Sequence, residues 1–127
     1  MTPAALGTIS IPIASMLVTA QTINYAVFAD ADRAQRAYDH ALRVTVPNRY
    51  VGSVTQGLPQ YDYPAVLVMD IDQRMPFFAC MMLVGNVIVE TVYVVGGSYA
   101  RPDGDQVVIA LAEGAVGHLM EVARSLN

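Results

Sequence analysis

The stretch from Pro64 to Gly96 constrains the chain most, because it has no side that could face water. After Pro64 it reads AVLVMDID, QRMP, FFACMMLV, Gly85-Asn86 and VIVETVYVV, three apolar runs rich in β-branched and aromatic residues and parted by short breaks. Val, Ile, Phe and Tyr suit a pleated surface and Gly-Asn suits a two-residue hairpin, so the stretch predicts an antiparallel meander. Successive side chains of a strand point to opposite faces. In the middle run Phe77, Ala79, Met81 and Leu83 share one face, and Phe78, Cys80, Met82 and Val84 share the other. Both sets are apolar. The last run repeats the pattern, with Glu90 as the one charge among Ile88, Val92 and Val94. Both faces therefore need cover. The expectation is that two helices share one face, leaving the other to the N-terminal segment, a second subunit or an apolar ligand.

Composition points the same way. Apolar residues make up 54% of the 127 and charged residues 14%, against about 45–50% and about 25% in ordinary domains. Such a chain is expected to bury surface in a partner or to sit near lipid. The length predicts one domain with a core of its own. A net charge of −4 counts against nucleic acid, which needs a basic footprint. Cys80 is the single cysteine, so it forms no internal disulfide, and its apolar run marks it as a small buried hydrophobe. The chain has no glycine-rich phosphate loop, zinc-ligand spacing, serine elbow or repeat, so neither cofactor nor metal is expected.

From Met1 to Ala29 there is no charged side chain. A transmembrane span is not expected, since Pro12, Gln21, Thr22 and Asn24 interrupt the segment and no basic flank orients it. A signal peptide could be cleaved after Val18 and Ala20, but it would lack a basic start. The favoured reading is a period of two at Ile9, Ile11, Ile13 and again at Ile23, Tyr25, Val27. It predicts strands over Leu6–Val18 and Thr22–Phe28, with Pro12 placing the first at an edge or bulge. The opening Met1-Thr2-Pro3 suggests a piece excised from something longer. Location follows from that, cytoplasmic as the chain stands and extracytoplasmic if it is an excised domain.

Two helices are expected. The first spans Asp30–Val44, with Asp30 as N-cap, Asp32 near the positive end of the dipole and an inward stripe of Ala34, Ala37, Tyr38, Ala41 and Leu42. Asp32–Arg36 and Asp39–Arg43 are spaced for ion pairs. The second spans Gln106–Leu126, with Asp103 or Asp105 as cap and Val108, Leu111, Ala115, Leu119, Val122 and Leu126 facing inward. Gly114 and Gly117 suggest close backbone contact there. Between the first helix and the meander, Pro47-Asn48-Arg49 reads as a turn, Tyr50–Val54 as a short strand and Thr55–Pro64 as a loop.

That loop carries Tyr61 and Tyr63, amphipathic rings suited to a binding rim. With Phe78, Met82, Glu90 and Tyr93 of the meander they form the candidate ligand-binding set. Glu90, if buried, needs a donor such as Arg74, Arg49 or a group of a partner chain. Asp70 and Asp72 point to one face, where they could hold a hard cation or act in acid–base chemistry; with no third oxygen ligand nearby, a charged strand end with Arg74 as counter-ion is the favoured reading. His40 and His118 read as surface histidines. An enzyme would have to bring Glu90, Asp70 and one histidine together in an apolar cavity.

The phrases FADADRAQRAYDHAL, the Tyr-Pro loop, FFACMMLVGNVIVETV and DGDQVVIALAEGAVGHLMEVA give the chain after Ile23 a recognisable texture. It resembles a group of actinobacterial secreted lipoproteins and kinase sensor domains. In that group a helix opening on an aspartate-alanine phrase precedes such a meander and a long helix closes the domain. The resemblance implies a sensor-type domain and carries over no catalytic residue. The combined expectation is a single α+β domain, an antiparallel sheet packed by two helices, that binds an apolar small molecule or associates with its own copies as a homo-oligomer without being an enzyme.

Overall fold

A computed structural model describes residues 5–12, 19–70, 76–95 and 103–125. The chain forms one antiparallel sheet of six strands, β1 (Ala5–Pro12), β2 (Thr19–Val27), β3 (Val54–Gly57), β4 (Ala65–Asp70), β5 (Phe77–Val84) and β6 (Val87–Val95), in the order β1-β2-β6-β5-β4-β3. Helix α1 (Ala31–His40) continues through a π-helical turn (Ala41–Thr45) into the short α2 (Val46–Arg49), and α3 (Gly104–Ser125) follows the sheet. The expected α+β architecture is present. β1 takes an edge, where Pro12 is tolerated at its end.

The meander forms as its residues dictate. Val84 pairs with Val87 across Gly85-Asn86, and Gly85 adopts φ +59°, which places it at the first central position of a primed hairpin turn. The turn is tied to the neighbouring strand, since Asn86 Nδ2 donates to the Phe28 carbonyl at 2.8 Å and the Phe28 amide donates back to the Asn86 carbonyl.

The helices cover opposite faces, not one shared face. On the first face Phe78, Cys80 and Met82 of β5, Val89 and Tyr93 of β6, and Leu67 of β4 pack under Val108, Ala112, Ala115 and Val116 of α3. On the second, Phe77, Ala79, Met81 and Leu83 pack with Val68, Ile88 and Phe28 under Ala34, Tyr38 and Val46. The central strand is thereby buried along both sets of side chains from Phe77 to Leu83. A large apolar side chain buried in this way contributes about 1.5–3 kcal/mol. The doubly apolar pattern is satisfied within the chain, so the meander's second face is not bare.

Several boundaries move, each for a local reason. Asp30 caps α1 by accepting from the Arg33 amide at 2.7 Å, as expected. The predicted ion pairs give way to other contacts. Arg36 Nε donates to the Asp32 carbonyl, Asp39 accepts from Gln35 Nε2, and Arg33 pairs with Asp30 at 3.6 Å. Pro47 has no amide to continue the helix and its ring crowds the carbonyl four residues back. The preceding turn widens, and the Val46 amide reaches the Ala41 carbonyl. The expected turn at Pro47-Asn48-Arg49 is therefore the helix α2, and the expected strand over Tyr50–Val54 is a turn. Ser53 donates back to Tyr50, Gly52 sits at φ +85°, and pairing begins at Val54.

In α3 the buried stripe is Val108, Ala112, Ala115 and Val116, while Leu111 and Leu119 are half-buried and Val122 is 42% exposed. The expected close approach at Gly114 and Gly117 is absent, both glycines being exposed with open space beside them. It occurs instead at Gly104, where a Cβ would overlap the Phe78 ring. Thr91, fully buried, donates its hydroxyl to the Val108 carbonyl at 2.7 Å and fixes α3 on the sheet. Asp72, Arg74, Leu126 and residues 13–18 lie outside the described residues.

Candidate functional site

The register separates the expected ligand-binding residues into three places. Phe78, Met82 and Tyr93 point to the α3 face and are 6%, 0% and 1% exposed. They are core residues covered by α3, because alternate positions of β5 and β6 face that helix. They line neither the groove beside α1 nor the depression at the β3–β4 loop. Tyr61 and Tyr63 lie in the loop between β3 and β4 with their rings stacked at 5.3 Å. Tyr61 donates its hydroxyl to Glu113 of α3, and Tyr63 reaches the Met82 sulfur at 3.9 Å. Burial, and then the Glu113 bond, raise the Tyr61 hydroxyl above its ordinary pKa. Together with Gly57, Leu58, Pro59, Pro64 and Ala65 the two rings line an open depression of about 520 Å³. Their contacts fasten the loop to α3, which accounts for them as packing.

Glu90 lies on the opposite face and has the more specific surroundings. It stands in a cross-strand row with Asn24 of β2, Met81 of β5 and Val66 of β4. Its side chain is 18% exposed. Asn24 Nδ2 donates to Glu90 Oε1 at 3.0 Å, and Arg49 Nη1, from the end of α2, stands 3.9 Å from the same oxygen. Arg49 was foreseeable as a donor. Asn24 was not, because its approach depends on β2 pairing with β6.

The Arg49 guanidinium lies over the Tyr50 ring at 5.3 Å, and that ring packs on Phe77 at 4.5 Å. The Tyr50 hydroxyl is buried with no hydrogen-bond partner among the described residues. Burial first and the Glu90 charge second raise its pKa, with Arg49 opposing.

Beside Glu90 a groove of about 240 Å³ opens between α1 and the β2–β6 side of the sheet. Its walls are Tyr25, Ala26, Phe28, Met81 and Ile88 from the sheet side and Ala37 and Ala41 from the helix, with Asn24 and Glu90 at the polar end. Small side chains make the room, since three alanines stand where larger residues would close the gap. The alanine stripe of α1 was legible in the sequence, but the hollow it leaves was not.

The remaining candidates do not join this site. Asp70 is buried on the same face, with its Oδ2 close to Gly52, and does not line the groove. By register it stands two strands across and four residues along from Glu90, roughly 16 Å at ordinary strand spacings. That is beyond direct contact. His40 and His118 are exposed, His118 on the helix of the opposite face, and neither lines the groove. Among the described residues no group of three or more His, Cys, Asp or Glu could hold a metal ion. Burial, then the Glu113 charge, push the Cys80 thiol up to about 12, which leaves it protonated and inert.

Fold and site together define, among the described residues, an α+β domain in which a six-stranded antiparallel sheet carries a helix on each face and a small apolar groove ends in a carboxylate. No family model, curated protein or solved structure matches this chain. By length and composition α3 is apolar enough to cross a membrane; here its buried stripe packs on β5 and β6.

Proposed function

We propose that this chain is a non-enzymatic, sensor-type binding domain whose ligand site is the groove between α1 and the β2–β6 side of the sheet. The observation that carries the reading is an apolar hollow of about 240 Å³ ending at Glu90, beside central strands that the chain's own helices cover. Ligand sites are apolar concavities with a few convergent polar groups, mostly somewhat larger than this one. The ligand is correspondingly small. The candidate acid–base residues do not converge, which favours binding over catalysis. Titration with 1-hexanol, followed by amide chemical shifts, tests the reading. Saturable shifts should fall on residues around Ala26, Ala37, Ala41 and Ile88, and Ala37→Leu should abolish them. Shifts scattered over the surface, or unaltered by Ala37→Leu in a folded variant, would remove the groove as a site.

A second reading, self-association, is favoured by the sheet edge. β1 is an edge strand of eight residues, ALGTISIP, with no charge to deter pairing, whereas the other edge, β3, has four. A second copy pairing along β1 would form an isologous dimer with a continuous sheet. Light scattering should give a dimer mass that Thr8→Lys reduces to a monomer. A monomer at all concentrations would dismiss this reading.

A further inference from the structure

We infer that the ligand of the groove is a small apolar amine whose ammonium group sits on Glu90; this rests on the groove being a ligand site. Both described partners of Glu90 address one oxygen, Oε1. No hydrogen bond from the described residues reaches Oε2. An ionised carboxylate has about four acceptor positions over its two oxygens. The side chain is 18% exposed, and among the described residues the buried polar side-chain atoms without a partner are the Tyr38 and Tyr50 hydroxyls, so Oε2 keeps an opening through which a donor can reach it.

Arg49 does not fill that position. At 3.9 Å it is at the limit of an ion pair, its side chain is 59% exposed, and the Tyr50 ring holds its guanidinium. A long pair with a solvated partner holds weakly, and Glu90 itself lines the groove. The residues next to it, Ala26, Phe28, Ala37, Ala41, Met81 and Ile88, make a lining that is mainly apolar and offers an alkyl body burial. An ammonium supplies three donors on a compact centre, and a short alkyl chain fills what the alanines leave open. The net charge of −4 draws cations toward the surface and repels carboxylates.

The test compares three probes of one length, n-hexylamine, 1-hexanol and hexanoate, at pH 7 and low salt, on the full chain and on Glu90→Gln. Calorimetry gives affinity and amide shifts give location. Hexylammonium is expected to bind at least tenfold tighter than hexanol, with hexanoate weakest. Glu90→Gln should bring amine and alcohol within about twofold while leaving hexanol where it was. Equal affinities in the unmodified protein, or an amine preference that survives Glu90→Gln, would overturn the cation assignment and leave the groove standing. If none of the probes shifts the groove residues, the groove reading itself falls. The comparison of probes on the unmodified chain decides the matter even if Glu90→Gln does not fold.

Discussion

Replacing Tyr38 with phenylalanine should make this protein more stable, although it removes a polar atom and adds nothing. Tyr38 is 2% exposed, and its hydroxyl has no hydrogen-bond partner among the described residues. Burying a hydroxyl without a partner costs about 1–3 kcal/mol. The phenylalanine ring keeps the packing with the cluster around Ala34, Val46 and Val68. The missing oxygen leaves on the order of 10 Å³, worth about 0.2 kcal/mol at roughly 24 cal/mol per Å³. The net gain is about 0.8–2.8 kcal/mol.

For a chain of 127 residues, an unfolding entropy of about 2.1 cal/mol/K per residue turns that gain into a rise in Tm of about 3–10 °C. Urea denaturation at pH 7 and calorimetric melting of both proteins measure it, and an unchanged urea slope would show that the effect lies in the folded state. A lower Tm for Tyr38→Phe would refute the reasoning, since it would mean that the hydroxyl is bonded and stabilising.

Other outcomes follow from the packing. Gly104→Ala should cost about 1–3 kcal/mol by forcing its methyl into the Phe78 ring, and Phe78→Leu in the same chain should recover part of the loss; an unaltered urea midpoint for the single variant would show that the ring moves aside. Met82→Ala should cost about 2–5 kcal/mol and leave hexanol binding unchanged, because Met82 is core on the α3 face; weaker binding at undiminished stability would return Met82 to a ligand site. Stability should fall in alkali. Burial raises the Tyr38 hydroxyl above its ordinary 10.0 and the Cys80 thiol from 9.0 to about 12, so the folded chain keeps protons that the unfolded chain releases. The contribution is fully present below about pH 9 and is lost as pH rises, by about 1.4 kcal/mol per pH unit for each group once its unfolded form is ionised. Urea midpoints at pH 8, 10 and 11 measure it, Cys80→Ala should remove the part that begins near 9, and a flat profile would contradict the assignment.

Much of this structure was legible because it is encoded locally. The alternation in Phe77–Val84, the Gly85-Asn86 turn and the Asp30 cap each lie within a few residues of what they determine. Errors arose where two signals compete over a short span. Pro47 reads as a turn former, yet it opens a helical turn, and Tyr50–Val54 looks like a strand until Gly52 closes it into a turn. In α3 the apolar residues are numerous enough to draw several stripes. Only contact with Phe78 and Thr91 shows that the one through Val108 and Ala112 is buried and that the helix presses closest at Gly104.

The candidate site was half legible. Glu90 stood out as a carboxylate in an apolar strand, and Arg49 was among its expected donors. Asn24 lies 66 residues from it in the chain, and no local pattern joins the two.

By itself the sequence determined that a sheet must form here, that its middle strand must be covered on both faces, and where the first helix begins. Those are consequences of side-chain period, turn chemistry and capping, which act over neighbouring residues. Only the tertiary structure decided that α1 and α3 take opposite faces, that Phe78, Met82 and Tyr93 vanish beneath one of them, and that Glu90 opens onto a hollow beneath the other. Those outcomes depend on strand order and register, and side chains brought together from distant parts of a chain carry no shared period from which their meeting could be read.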